Sequence, residues 1–250
     1  MSKEKRLSII EHLEEFRSRL IIALVAILVT TSLAYFFADT ILYALTMPAG
    51  NLKLNAPSPM DGFMIRFRVA LYGGIALAAP VWIYQVLKFL EPGLLPREKR
   101  WIIPGVFAMV ILFLLGNLFG YVMLSNMFTV LIGMFGNPND SPITYLPMAD
   151  QYISFVVYFL IATGIAFEMP IILLLLVKIG LVSPQTLRKQ RKLVYFIIFV
   201  FAELVTPVAD PIVAPTVVML PMVILFEIAL FLARFIAPKP TVPSIAVKKT

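Results

Sequence analysis

The chain has 250 residues, 60% of them hydrophobic and only 14% charged, with a net charge of +7. A soluble domain is about 45–50% apolar and about 25% charged, so the composition excludes an ordinary soluble protein and indicates an integral membrane protein. Cysteine is absent, which removes disulfides, thiolate nucleophiles and Cys-ligated metals.

A membrane-crossing helix needs about 20 mostly apolar residues. The first uncharged run, Leu20 to Ala38, meets that length and is too long for a signal-peptide core. It follows "EHLEEFRSRL" (11–20), a dense cluster of acids and bases. Ser8 and Glu11 have capping-box spacing, and Ile9, Leu13, Phe16 and Leu20 recur as one helical face. Residues 8–19 therefore predict an amphipathic segment at the membrane interface, leading into the first span. On charge pattern alone, an anchor that sets topology is the simpler role. Arg17 and Arg19 suffice for anchoring, however, and the three glutamates leave open a docking point for a cation.

The second span is predicted at Val69–Leu87, the third near Ile102–Ser125 and the fourth at Gln151–Val177, interrupted only by Glu168. Two weaker runs follow, Leu193–Pro207 with Glu203 and Thr216–Ala233 with Glu227. The last two spans read as short, since fifteen residues reach about 22 Å against a hydrocarbon core of about 30 Å. The loops "NLKLNAPSPMDG" (51–62) and "GNPNDSPITYLP" (136–147) read as ordered turns. Six spans put both termini on one side, and 18 of the 21 Lys and Arg fall on that side. Only Lys53, Arg66 and Arg68 lie on the other, so the termini are expected in the cytoplasm. The expected organisation is one six-helix transmembrane domain over residues 1–237 and a flexible cytoplasmic tail over 238–250. The fold class is all-α and polytopic.

Glu168 stands out on physical grounds. It lies ten residues before Lys178, hence about 15 Å from that helix end, near mid-membrane. An acid at that depth is expensive and marks a functional site by default. Pro170 beside it is expected to bend the helix.

Five motifs occur in order: "HLEEFRSRL" (12–20), P-x-x-x-Y-Q-x-x-x-F-x-x-P-x-L (80–94), "EKR" (98–100), "FEMP" (167–170) and "FEIALF" (226–231). Together they closely resemble the TatC family, the multi-span subunit of the twin-arginine protein translocase, over roughly Ser8 to Phe235. The resemblance implies a concave, glove-like bundle and a receptor rather than an enzyme. It implies binding of twin-arginine signal peptides of folded cargo at the cytoplasmic face of the inner membrane. It also implies small single-span partners of the TatA/TatB type, a homo-oligomeric working assembly within the lipid bilayer, and use of the proton motive force, with no cofactor and no nucleic acid.

Carried over residue by residue, the resemblance assigns Glu15 and Glu98 to the paired arginines. Arg17, Gln85, Phe89 and Pro92 are placed beside them. A guanidinium meets a carboxylate through two parallel hydrogen bonds, which lysine cannot copy. Glu168, Glu227 and Asp210 match an intramembrane polar patch that meets a partner helix. Here the chain departs from the pattern: "DPIVAPTVV" (210–218) lacks the glutamine that many relatives place there, and Glu203 is an acid where an apolar residue is expected, a candidate replacement. Pro48 matches a family proline after the first span and reads as structural.

A secondary transporter or channel with Glu168, Glu203 and Glu227 as a proton relay is the alternative, against which stands the lack of repeated halves. One histidine, no cysteine and no H-E-x-x-H disfavour a membrane enzyme, and the lone His12 is a poor metal ligand.

Overall fold

The computed structural model describes residues 9–50, 54–93, 96, 99–134, 147–206 and 213–236. Ser8, Glu98, Asp210, the tail from 238 and all of loop 136–147 except Pro147 lie outside the described residues.

The chain is helical. Helix α1 (Ile9–Tyr35) turns at Phe36–Phe37 into α2 (Ala38–Thr46) and a single 3₁₀ turn, Met47–Ala49. Helices α3 (Pro59–Leu77) and α4 (Ala79–Leu90) form one span bent by 54°. Then come α5 (Ile102–Met134), α6 (Ala149–Ala166), α7 (Met169–Lys178), the short α8 (Pro184–Lys189), α9 (Arg191–Val205) and α10 (Val213–Ile236). By length and composition α1, α5, α6 with α7, and α10 can each cross a membrane, as can the bent α3–α4 pair.

The fifth predicted run is α9, and it is indeed short at 15 residues. The other run expected to be short is not. Helix α10 has 24 residues, about 36 Å, because it starts before Thr216, runs past Arg234 and carries Pro221 within it. Charge and proline bound the apolar run in sequence, but neither ends the helix. At the other end of the chain, residues 9–19 of the amphipathic segment run into the first span as one unbroken helix of 27 residues, about 40 Å long. Nothing separates an interfacial piece from the crossing piece.

The helices pair in an open row: α1 on α3 and α4, α4 on α5, α3 and α5 on α6, α7 on α10, and α10 on α9. The larger apolar core gathers Val69, Leu124, Ile153, Val156, Phe159, Leu160, Ile198, Phe226 and Leu230; a smaller one joins Ile83, Leu87, Met109 and Phe113 between α4 and α5. Outside these, large apolar side chains such as Leu24, Leu28, Ile111, Leu118 and Ile224 stand exposed, as lipid-facing residues do.

Close backbone approach fixes two pairings. A Cβ on Gly74 would lie 2.1 Å from Thr31 Oγ1 and 2.6 Å from Thr31 Cα, so α1 and α3 touch through glycine. At the α5–α6 contact, a Cβ on Gly116 would meet Thr163 O at 2.7 Å. Such small-residue seams suit helices in lipid, where burial gives no preference for protein over acyl chain. At the α3–α4 bend, where Pro80 stands in the first turn of α4, side chains bond to backbone carbonyls. Thr30 Oγ1 donates to Gly74 O at 2.8 Å and Trp82 Nε1 to Ile75 O at 3.1 Å.

Where the connections before α3 and α6 are described, at 54–58 and 147–148, they are held by specific contacts. Ser58 and Asp61 form a capping box at the start of α3. Tyr121 and Tyr152 hydroxyls donate to the carbonyls of Ala44 and Leu45, closing the end of α2. Asn55 bridges to Met148. Arg66 pairs with Asp39 at 2.8 Å and Arg68 with Asp150 and Ser154. Pro48 is buried in the 3₁₀ turn, consistent with a packing role.

Candidate functional site

On the first half of α1, Leu13, Phe16 and Leu20 of the apolar stripe are 62%, 48% and 47% exposed. The half-buried residues are His12, Glu15 and Arg19, spaced i, i+3 and i+7 on one side. The stripe looks outward, and the polar stripe meets α4.

That contact is specific. Arg19 donates from Nε (3.0 Å) and Nη2 (2.5 Å) to the same oxygen of Glu15. It also donates from Nη1 to Gln85 Oε1 on α4 at 3.3 Å. One turn along α4, Phe89 stacks on the His12 ring with centroids 4.3 Å apart and meets Phe16 edge-on at 5.4 Å. His12 Nδ1 is 3.8 Å from Glu15. Glu15, Gln85 and Phe89, far apart in sequence, thus converge. Arg17 and Pro92 are exposed, and neither joins the hydrogen bonds of this cluster. Sequence reasoning gave Arg19 no role beyond anchoring and His12 none. Their spacing with Glu15 was the available signal.

Just beyond α4, Glu91 lies between Lys88 and Lys99, 3.0 Å from the latter. The hydrogen bond from Lys88, with help from Lys99, holds the Glu91 carboxyl below its ordinary value despite partial burial. This tether fixes the start of the connection in which Glu98 falls. Nearby, Arg100 sits over the Trp101 ring at 5.6 Å.

Of the four acids expected to form one intramembrane patch, the three described ones, Glu168, Glu203 and Glu227, fall into different environments. Glu168 sits at the break between α6 and α7, where Pro170 opens the first turn of α7. It is 2% exposed, and neither carboxyl oxygen has a hydrogen-bond partner among the described residues. Glu227 is fully engaged: it accepts from Arg191 Nη2 at 2.8 Å and from Tyr195 Oη at 2.6 Å. It ties α10 to the first turns of α9. Glu203 lies eight residues beyond Tyr195 on α9, about 12 Å further along the axis. Glu203 and Glu227 therefore do not share a patch, because one stands near each end of α9. By the same arithmetic Glu203 is about 18 Å along its helix from Arg191 and Glu168 about 15 Å from Lys178. No group of three metal-ligating side chains forms among the described residues.

Comparison with known proteins places this arrangement in a family. The family model "Sec-independent protein translocase protein (TatC)" matches residues 11–221. A Sec-independent protein translocase protein TatC of Carboxydothermus hydrogenoformans is 32% identical over 95% of this chain and 97% of its own length. One from Aquifex aeolicus is 37% identical over 92% and 95%. A crystal structure described as the twin-arginine translocase receptor TatC covers 90% of this chain and 99% of its own, at 36% identity and a TM-score of 0.77. A second such structure, in the detergent DDM, has a TM-score of 0.79. The similarity spans the α1–α4 cluster, the Glu168 break and the six runs in order, and the chain belongs to the TatC family of multi-pass protein translocase subunits, a transport component and not an enzyme.

Proposed function

We propose that this chain is the receptor and core subunit of a twin-arginine translocase in the cytoplasmic membrane, with both termini inside. Twin-arginine signal peptides dock at the cytoplasmic end of α1 and α4. Glu15 and Glu98 take the guanidinium groups, Phe89 and Gln85 line the seat, and Arg17 and Pro92 flank it. Small single-span subunits assemble against the Glu168 region, with Glu203 on α9 and Asp210 at the outer turn. Folded cargo is exported with the proton motive force as the energy source. Several copies make up the working complex.

The observation that carries this reading is the convergence of Glu15, Gln85 and Phe89, from elements some 70 residues apart, into one half-buried polar cluster. A carboxylate flanked by an aromatic face suits a guanidinium, which both hydrogen-bonds and stacks. The lysine and arginine asymmetry supports the orientation. Glu227 is better read as a clasp between α9 and α10, since its acceptors are already used.

Photocross-linking from positions 15, 98 and 168 to a twin-arginine precursor, with and without the small subunits, tests the scheme. Positions 15 and 98 should capture the signal peptide and position 168 a partner helix. Undiminished peptide capture in both Glu15→Ala and Glu98→Ala would defeat the assignment. Ion flux through the isolated chain in liposomes, without cargo, would favour a channel or transporter instead.

A further inference from the structure

The carboxylate assigned to the incoming arginine already holds one. Arg19 places two of its donors on Glu15 Oε1, at 3.0 and 2.5 Å, and a third on Gln85, at 3.3 Å. The Glu15 and Arg19 side chains are each only 22% exposed, so this pair is partly shielded from water. Arg19 thus satisfies with one side chain the two groups, from α1 and α4, that the docking scheme gives to the ligand.

We infer that Arg19 is a resident placeholder: it occupies the seat of an incoming guanidinium, and a signal peptide must displace it to bind. The inference rests on the receptor reading of Glu15. It makes Arg19 a residue that sets the affinity threshold of the seat without touching the ligand. A protein whose competent state is only fractionally populated binds every ligand more weakly by that same fraction. Arg19 therefore weakens a paired-arginine and a paired-lysine peptide by one common factor. The benefit to a receptor is exclusion: weakly bound basic segments of cytoplasmic proteins fall below the occupancy that a genuine signal reaches. When empty, the carboxylate also keeps a partner and avoids the cost of standing half-buried and unpaired.

The experiment is equilibrium binding of two labelled peptides, one with the arginine pair and one with lysines in its place. The full-length chain in detergent is compared with Arg19→Gln, Arg19→Lys and Glu15→Gln, with folding of each checked by thermal unfolding. Charge-assisted hydrogen bonds at a partly exposed site lead us to expect about 5- to 10-fold tighter binding of both peptides to Arg19→Gln. Arg19→Lys keeps the charge but loses the fork, and should give about 2- to 4-fold. In both, the ratio of the two affinities should stay at the unsubstituted value. Unchanged or weaker binding in folded Arg19 variants overturns the inference, and so does a changed ratio, which would place Arg19 in contact with the ligand. If Glu15→Gln leaves binding of the unsubstituted pair-arginine peptide intact, the receptor reading of Glu15 fails, and the placeholder fails with it. That outcome is distinct from the first two, where Glu15 still matters.

Discussion

Replacing Glu168 by leucine should make the protein more stable and stop export. The side chain is 2% exposed and neither of its oxygens has a hydrogen-bond partner among the described residues. Even an uncharged carboxyl buried without hydrogen bonds costs about 1–3 kcal/mol relative to an apolar group. Leucine removes that cost and is close enough in size to limit repacking losses to under about 1.5 kcal/mol. The net change should be neutral to about 2 kcal/mol stabilising. A stability gain coupled to loss of function is the pattern of a site held at the expense of the fold. Thermal unfolding in detergent gives the first quantity; export of a twin-arginine reporter in cells lacking the native subunit gives the second. A destabilisation of more than about 2 kcal/mol would mean that the carboxyl has a structural partner, and the argument from its unpaired burial would be lost. Wild-type export by a stable Glu168→Leu protein would remove the residue from the site.

Glu227→Ala should destabilise the α9–α10 clasp by about 1–3 kcal/mol, because it leaves Arg191 half-buried beside an unpaired Tyr195 hydroxyl. In a double-mutant cycle with Arg191→Met, thermal unfolding should show a coupling above about 0.5 kcal/mol, whereas additive effects would refute the pairing. Glu91 gives a pH dependence whose sign follows from its lowered value. The free carboxyl titrates at about 4.3 and the folded one below that, so its contribution is full above that range and is lost as pH falls through the folded value. The melting temperatures of the unsubstituted chain and Glu91→Gln should differ at pH 7 and converge under strong acid; parallel curves would contradict this. Gly74→Ala drives a methyl into the Thr31 backbone, so α1 must separate from α3, and a loss above about 2 kcal/mol is expected from unfolding in detergent. A tolerant Gly74→Ala would mean that the two helices pack less closely than described.

The sequence by itself determined what depends on distance along the chain. The apolar runs give the crossings, the lysine and arginine count gives the expected sidedness, and the spacing from Lys178 gives the depth of Glu168. The motif order was enough to identify the family. The structure alone decided which way each helix faces. The apolar stripe of α1 turns outward and His12, Glu15 and Arg19 turn inward; Glu227 faces Arg191 and Tyr195 and not Glu203; and Thr30 reaches Gly74 across the α1–α3 seam. Helix α2 escaped notice because its nine residues are too few to stand apart from the long apolar run before them. In water, hydrophobic periodicity reveals the buried face of a helix, because only the protein side is apolar. In a bilayer both sides are apolar. Rotation is then set by glycine contacts, cross-helix hydrogen bonds and ion pairs, which exist only once the helices are side by side.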